Sequence, residues 1–143
     1  MKKLIAIVLA SFCMLGFAGC SMFTTDVSWT DKDIKNAKSV EITRYDNQDG
    51  SLEVAEVYTI VDEKEVNSIC NTFSLLKVKK TKITEPMSLA YSISFLDGSG
   101  NAIETVMIPF GWNVIQCGDL YKITDEMDIN RYIREDVLKD TQN

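Results

Sequence analysis

Leu89, Tyr91, Ile93 and Phe95 alternate with Ala90, Ser92 and Ser94, and this run limits the fold more than any other stretch of the chain. A period of two sends one set of side chains into a core and the other towards solvent. A parallel sheet, buried on both faces, would need near-continuous apolar strands, so the run asks for an antiparallel sheet covered on one side. Asp97-Gly98-Ser99-Gly100-Asn101 is turn chemistry. A return strand follows from Ala102 to Pro109, with Ile103, Thr105 and Met107 opposite Glu104, Val106 and Ile108.

The rest of the chain repeats the pattern. Val40 to Tyr45 alternates, Asp46 to Ser51 turns, and Leu52 to Val61 returns with Leu52, Val54, Glu56, Tyr58 and Ile60 on one side and Val57 and Val61 on the other. Asp62 and Glu65 form a capping box ahead of Val66, Ile69, Cys70 and Phe73, whose spacing predicts a helix from about Glu63 to Phe73. Leu75 to Thr84 carries Lys77, Lys79, Lys80 and Lys82, which suits an edge strand protected against further pairing. The competing reading of those lysines is a patch for an anionic ligand. Phe110-Gly111-Trp112 is a tight apolar corner, and Val114 to Cys117 and Leu120 to Ile123 form a hairpin around Gly118-Asp119. Thr124 and Asp125 offer caps for a last helix to about Leu138, with Ile129, Tyr132, Ile133 and Val137 as its apolar stripe. The order β-β-α-β-β-β-β-β-α with short links predicts an α+β fold: an antiparallel sheet of about five to seven strands with two helices on one face.

The start of the chain speaks to location. Lys2 and Lys3 precede an apolar run from Leu4 to Ala18, which is short for a membrane span and has the layout of a secretory signal. It ends in Phe17-Ala18-Gly19-Cys20, which resembles a bacterial lipobox, with Phe17 where an aliphatic residue is usual. That resemblance implies a diacylglyceryl group on the Cys20 thiol and cleavage before it. The whole layout is similar to that of small bacterial lipoproteins of unknown function of the YhfM-like type, and this resemblance brings no catalytic residues. The implied organisation is a signal peptide over 1–19, a lipidated Cys and polar tether over 20–38, and one α+β domain over 39–143. Trp29 is expected to plug onto that domain, with a short helical turn near Asp31–Ala37. The expected location is the cell membrane, held by lipid and facing the extracytoplasmic side.

Removal of residues 1–19 leaves 13 basic and 21 acidic residues, a net charge of −8. Phosphate backbones repel such a domain, so nucleic acid is not expected as a partner. The chain has no His, which removes the commonest general base and zinc ligand, and every Ser-His or Cys-His dyad. No cofactor, metal site or catalytic residue is indicated. Asp97, Ser99 and Asn101 echo a calcium loop, but Ile108 stands where its bidentate Glu is needed. Cys70 and Cys117 are either a bridged pair in an oxidising compartment or two buried free thiols. Phe110, Trp112 and Tyr121, with Tyr45, are the candidate binding residues, because exposed aromatics anchor interfaces; the alternative role for Trp112 is to cover the end of the core. The expected function is a lipid-anchored binding or interaction module for an envelope component or secreted protein, without catalysis. The alternatives are an inhibitor-like module presenting Phe110 to Asn113 to a secreted enzyme, and a hydrolase built on paired carboxylates.

Overall fold

The computed structural model describes residues 27–139. Seven strands form one antiparallel sheet: β1 (Ser39–Gln48), β2 (Ser51–Ile60), β3 (Val78–Lys80), β4 (Leu89–Leu96), β5 (Ala102–Pro109), β6 (Val114–Cys117) and β7 (Asp119–Ile123). Their order across the sheet is β2-β1-β4-β5-β6-β7-β3. Helix α1 (Glu63–Ser74) lies between β2 and β3 in the chain, and α2 (Ile129–Tyr132) continues as a π-helical stretch over Ile133–Val137. The α+β class, the antiparallel sheet and the two helices are therefore as the alternation and spacing predict.

Register explains the single core. Val40 lies opposite Phe95, Ile42 opposite Ile93, and Ile93 opposite Val106, so one face carries continuous apolar rows. Val66, Ile69, Cys70 and Phe73 of α1 and Ile129 and Ile133 of the C-terminal helix are buried in the same core. The rings of Phe73 and Phe95 meet edge to face, 5.4 Å apart, a preferred aromatic geometry. The opposite face carries Glu41, Ser94 and Thr105, with Ser94 and Thr105 hydrogen-bonded at 3.0 Å.

Local chemistry sets the boundaries. Asp62 caps α1 by accepting from the Lys64 and Glu65 amides. Asp49 and Gly50 both take positive φ between the paired Gln48 and Ser51, giving the two-residue turn that a tight hairpin prefers. Cys117 pairs with Asp119, so Gly118 (φ +66°) alone turns between β6 and β7, one residue fewer than expected. The lysine-bearing β3 is a sheet edge, paired only with β7, and Lys80 reaches Asp119 at 2.5 Å.

Three further expectations need correction. The register slips between Arg44 and Tyr45, where Ala55 is the extra residue on β2. This bulge moves Leu52 and Val54 to the face of Val57, while Glu56, Tyr58 and Ile60 keep the core side. Trp29 plugs onto the domain and a turn forms near Asp31–Ala37 as expected, but Ile34 and Ala37 are buried in the core with it, so the domain begins before residue 39. Trp29 is only 4% exposed, and its Nε1 donates to the Phe73 carbonyl at 2.9 Å. A 3₁₀ turn over Ile34–Asn36, capped by Asp33, folds the segment back onto β1. The last helix also starts later, at the Asp128 cap, which accepts from the Arg131 amide. Thr124 and Asp125 are used elsewhere: the Thr124 amide and hydroxyl donate to the Lys77 carbonyl, and Asp125 accepts from the Lys77 amide.

Candidate functional site

The core-facing row of β1 runs Val40, Ile42, Arg44, Asp46, and so changes from apolar to charged partway along the strand. Where it changes, the core ends and a cleft of about 360 Å³ opens. Arg44 lies opposite Tyr91 on β4, and Tyr91 opposite Ile108 on β5, so the cleft floor continues the core rows. Phe110, Gly111 and Trp112 form one wall, and Asp128, Asn130, Arg131 and Arg134 form the other. Tyr45 and Asp46 complete the rim.

Two asparagines hold this corner. The Asn130 side-chain amide donates to the carbonyls of Pro109 (3.2 Å) and Trp112 (3.1 Å), fixing the chain on both sides of Phe110-Gly111. Asn113 donates to the Met127 carbonyl at 2.7 Å and accepts from the Ile129 amide at 3.1 Å, tying the corner to the start of α2. The Phe110 amide donates to the Ser88 carbonyl at 2.7 Å. Gly111 takes φ +73°, a conformation that favours glycine. The result is a held backbone from which the Phe110 ring stands 73% exposed, while Trp112 is half-buried.

The charged groups are laid out in pairs. Arg44 reaches Glu56 (3.1 Å) and Asp46 (3.4 Å), and Glu135 accepts from both Arg131 (2.9 Å) and Arg134 (3.1 Å). Those two guanidinium groups hold the Glu135 carboxyl below its usual range. The Tyr58 hydroxyl, and then Arg44, do the same for Glu56, with slight burial opposing them. Only three of the chain's 15 basic residues are arginine, and all three line this cleft. Among the described residues, no lysine lines it.

Of the sequence-predicted residues, Phe110 and Trp112 line this cleft; Tyr45 borders it, but on the opposite face of β1 from Arg44, with its hydroxyl 3.4 Å from the Ser92 Oγ. Tyr121 does not: it is buried on β7 opposite Ile115, as part of the core. Cys70 and Cys117 are free thiols, so the alternative of a bridge between them is not what the structure holds. Cys70 is buried in α1, where desolvation raises its pKa. Cys117 sits half-buried beside Glu104, and burial, then the hydrogen bond to Glu104, pushes its thiol up to about 11. Cys20 lies outside the described residues. The Asp97 carboxylate accepts the Ser99 and Asn101 amides at 2.8 and 2.9 Å, and these bonds lower its pKa; they close the turn by themselves. Among the described residues, no group of three or more Cys, Asp or Glu is placed to hold a metal ion.

The residue pattern missed Arg44, Arg131, Arg134, Asn113 and Asn130 as parts of one site. A faint signal was present for Asn130: asparagine is a poor helix former, and beside Ile129 in a first turn it is better suited to bonding nearby carbonyls. No protein-family model, curated protein or solved structure matches the chain.

Proposed function

We propose that this chain is a lipid-anchored extracytoplasmic binding module, moored through Cys20 and presenting the Phe110–Trp112 cleft to an envelope component or a secreted protein. The cleft is the observation that carries this reading. Its aromatic and guanidinium groups come from β1, β4, the corner after β5 and the C-terminal helix, yet its two aspartates are already committed. Asp46 pairs with Arg44 and Asp128 caps α2. A held backbone with an exposed aromatic tip fits recognition, because aromatic and Arg side chains dominate binding hot spots. Among the described residues, no helix is long and apolar enough to cross a membrane. The mooring part of the reading rests on the signal-like N-terminus and on the lipobox resemblance at Cys20.

The anchor is tested by expressing the full chain and its Cys20→Ser variant in a bacterial host, followed by fractionation and intact-mass measurement. The expected result is a mature chain beginning at Cys20, carrying the mass of the acyl groups and sedimenting with membranes, and loss of that modification in Cys20→Ser. An unmodified chain retaining residues 1–19 inside the cell would overturn the reading.

A further inference from the structure

Given that the cleft is the binding surface, we infer that it selects an oxyanion, carboxylate or phosphate, joined to a flat apolar group. The first support is the segregation of the two cationic residue types. Lysines are spread over the chain, on the edge strand, the helices and the N-terminal segment, whereas the only three arginines converge here from β1 and the C-terminal helix. For general surface charge the two are interchangeable, but a planar fork of five N–H donors suits bidentate oxyanions and stacks on aromatic rings in a way that an ammonium does not.

The second support is the remaining hydrogen-bonding capacity. Arg44 uses its Nε and one terminal nitrogen on Glu56 and Asp46, Arg131 its Nε on Glu135, and Arg134 one terminal nitrogen on Glu135. Each guanidinium therefore keeps further N–H donors. Among the acceptors, one Asp128 oxygen is used on its cap, the side-chain oxygen of Asn113 on the Ile129 amide, and Asp46 on Arg44. The guanidinium N–H donors left over favour a ligand that brings its own acceptors. The pairs with Glu56, Asp46 and Glu135 neutralise the arginines when no ligand is present. They are solvent-exposed and weakly held, so an incoming oxyanion exchanges for them at little cost. Trp112, Tyr91 and Phe110 supply the flat apolar contact beside this cluster.

The test is NMR titration of the full processed chain in detergent, following the arginine Nε–H signals and the two indole N–H signals. Trp29, buried and bonded to the Phe73 carbonyl, is the internal reference; Trp112→Phe assigns the other indole. The probes are phenyl phosphate, benzoate, inorganic phosphate and neutral benzyl alcohol. The expected result is saturable movement of the Trp112 indole and arginine signals with phenyl phosphate or benzoate, at least about ten-fold tighter than with inorganic phosphate or benzyl alcohol; the tighter of the two identifies the head group. Arg131→Lys with Arg134→Lys keeps the charge and weakens binding about ten-fold or more, whereas Lys79→Gln leaves it unchanged. Unchanged affinity in the double Lys variant, or benzyl alcohol binding as tightly as benzoate, overturns the oxyanion inference and leaves the cleft as a binding surface. No movement of any cleft signal with any probe overturns the inference, and the mass measurement on Cys20 then decides the anchored-module reading separately.

Discussion

Replacing Trp29 decides whether the segment before β1 belongs to the domain. As part of a tether, its loss would cost almost nothing. In the structure the indole is 4% exposed, stands edge to face with Phe73 at 6.3 Å, and donates to the Phe73 carbonyl at 2.9 Å. Truncating a buried Trp to Ala costs about 3–5 kcal/mol in transfer and cavity terms. The hydrogen bond adds about 1 kcal/mol. Little extra penalty comes from an orphaned acceptor, because the Phe73 carbonyl also receives the Leu75 amide at the helix cap. Against a total stability of about 5–15 kcal/mol for a domain of this kind, Trp29→Ala should remove a large share. Trp29→Phe, which keeps a ring but not the donor, should cost about 1–2 kcal/mol. Urea unfolding followed by far-UV circular dichroism measures both, and avoids fluorescence, which the substitution itself alters. A loss below about 1 kcal/mol for Trp29→Ala would refute the reasoning and return the segment to the tether.

Three further outcomes follow from named contacts. Asn130→Ala removes both bonds that hold the Phe110–Trp112 corner and should cost about 1–3 kcal/mol, with faster amide exchange confined to that corner and the start of α2; uniform or absent exchange changes would count against its positioning role. Burial pushes the Glu104 carboxyl up, but the Thr30 hydroxyl, the Cys117 thiol, the Thr105 amide and Lys32 outweigh it and hold it below its usual range. A lowered carboxylate pKa adds stability above the unfolded value and loses it as pH falls through the folded value, so the deficit of Glu104→Gln should be full above about pH 5 and shrink as the solution is made more acidic. With its thiol pushed up from 9.0 to about 11, Cys117 should alkylate with iodoacetamide at pH 8 about 100-fold more slowly in the folded chain than in urea. Equal rates would show that Glu104 and burial do not govern it.

Much of the architecture was legible from residues alone. The strand pairs around Asp49-Gly50, Asp97–Asn101 and Gly118, the Asp62-capped helix and the lysine-guarded edge each rest on local rules of period, turn chemistry and capping, which neighbours in sequence satisfy by themselves. The bulge at Ala55 was not legible, because alternation assigns faces only while the register is unbroken. The start of the last helix was misplaced for a related reason: Thr124 and Asp125 are good caps, but Lys77, distant in sequence, claims them first.

The sequence by itself determined an antiparallel α+β domain with two helices. Period and capping act over a few residues, so they can be read without knowing what lies across the sheet. Only the tertiary structure decided that Ile34 and Ala37 join Trp29 in the core, that Tyr121 is buried away from the other aromatics, and that Arg44 meets Arg131 and Arg134 around Trp112. Those meetings join residues almost ninety positions apart, and strand order and register, which no local pattern encodes, bring them together.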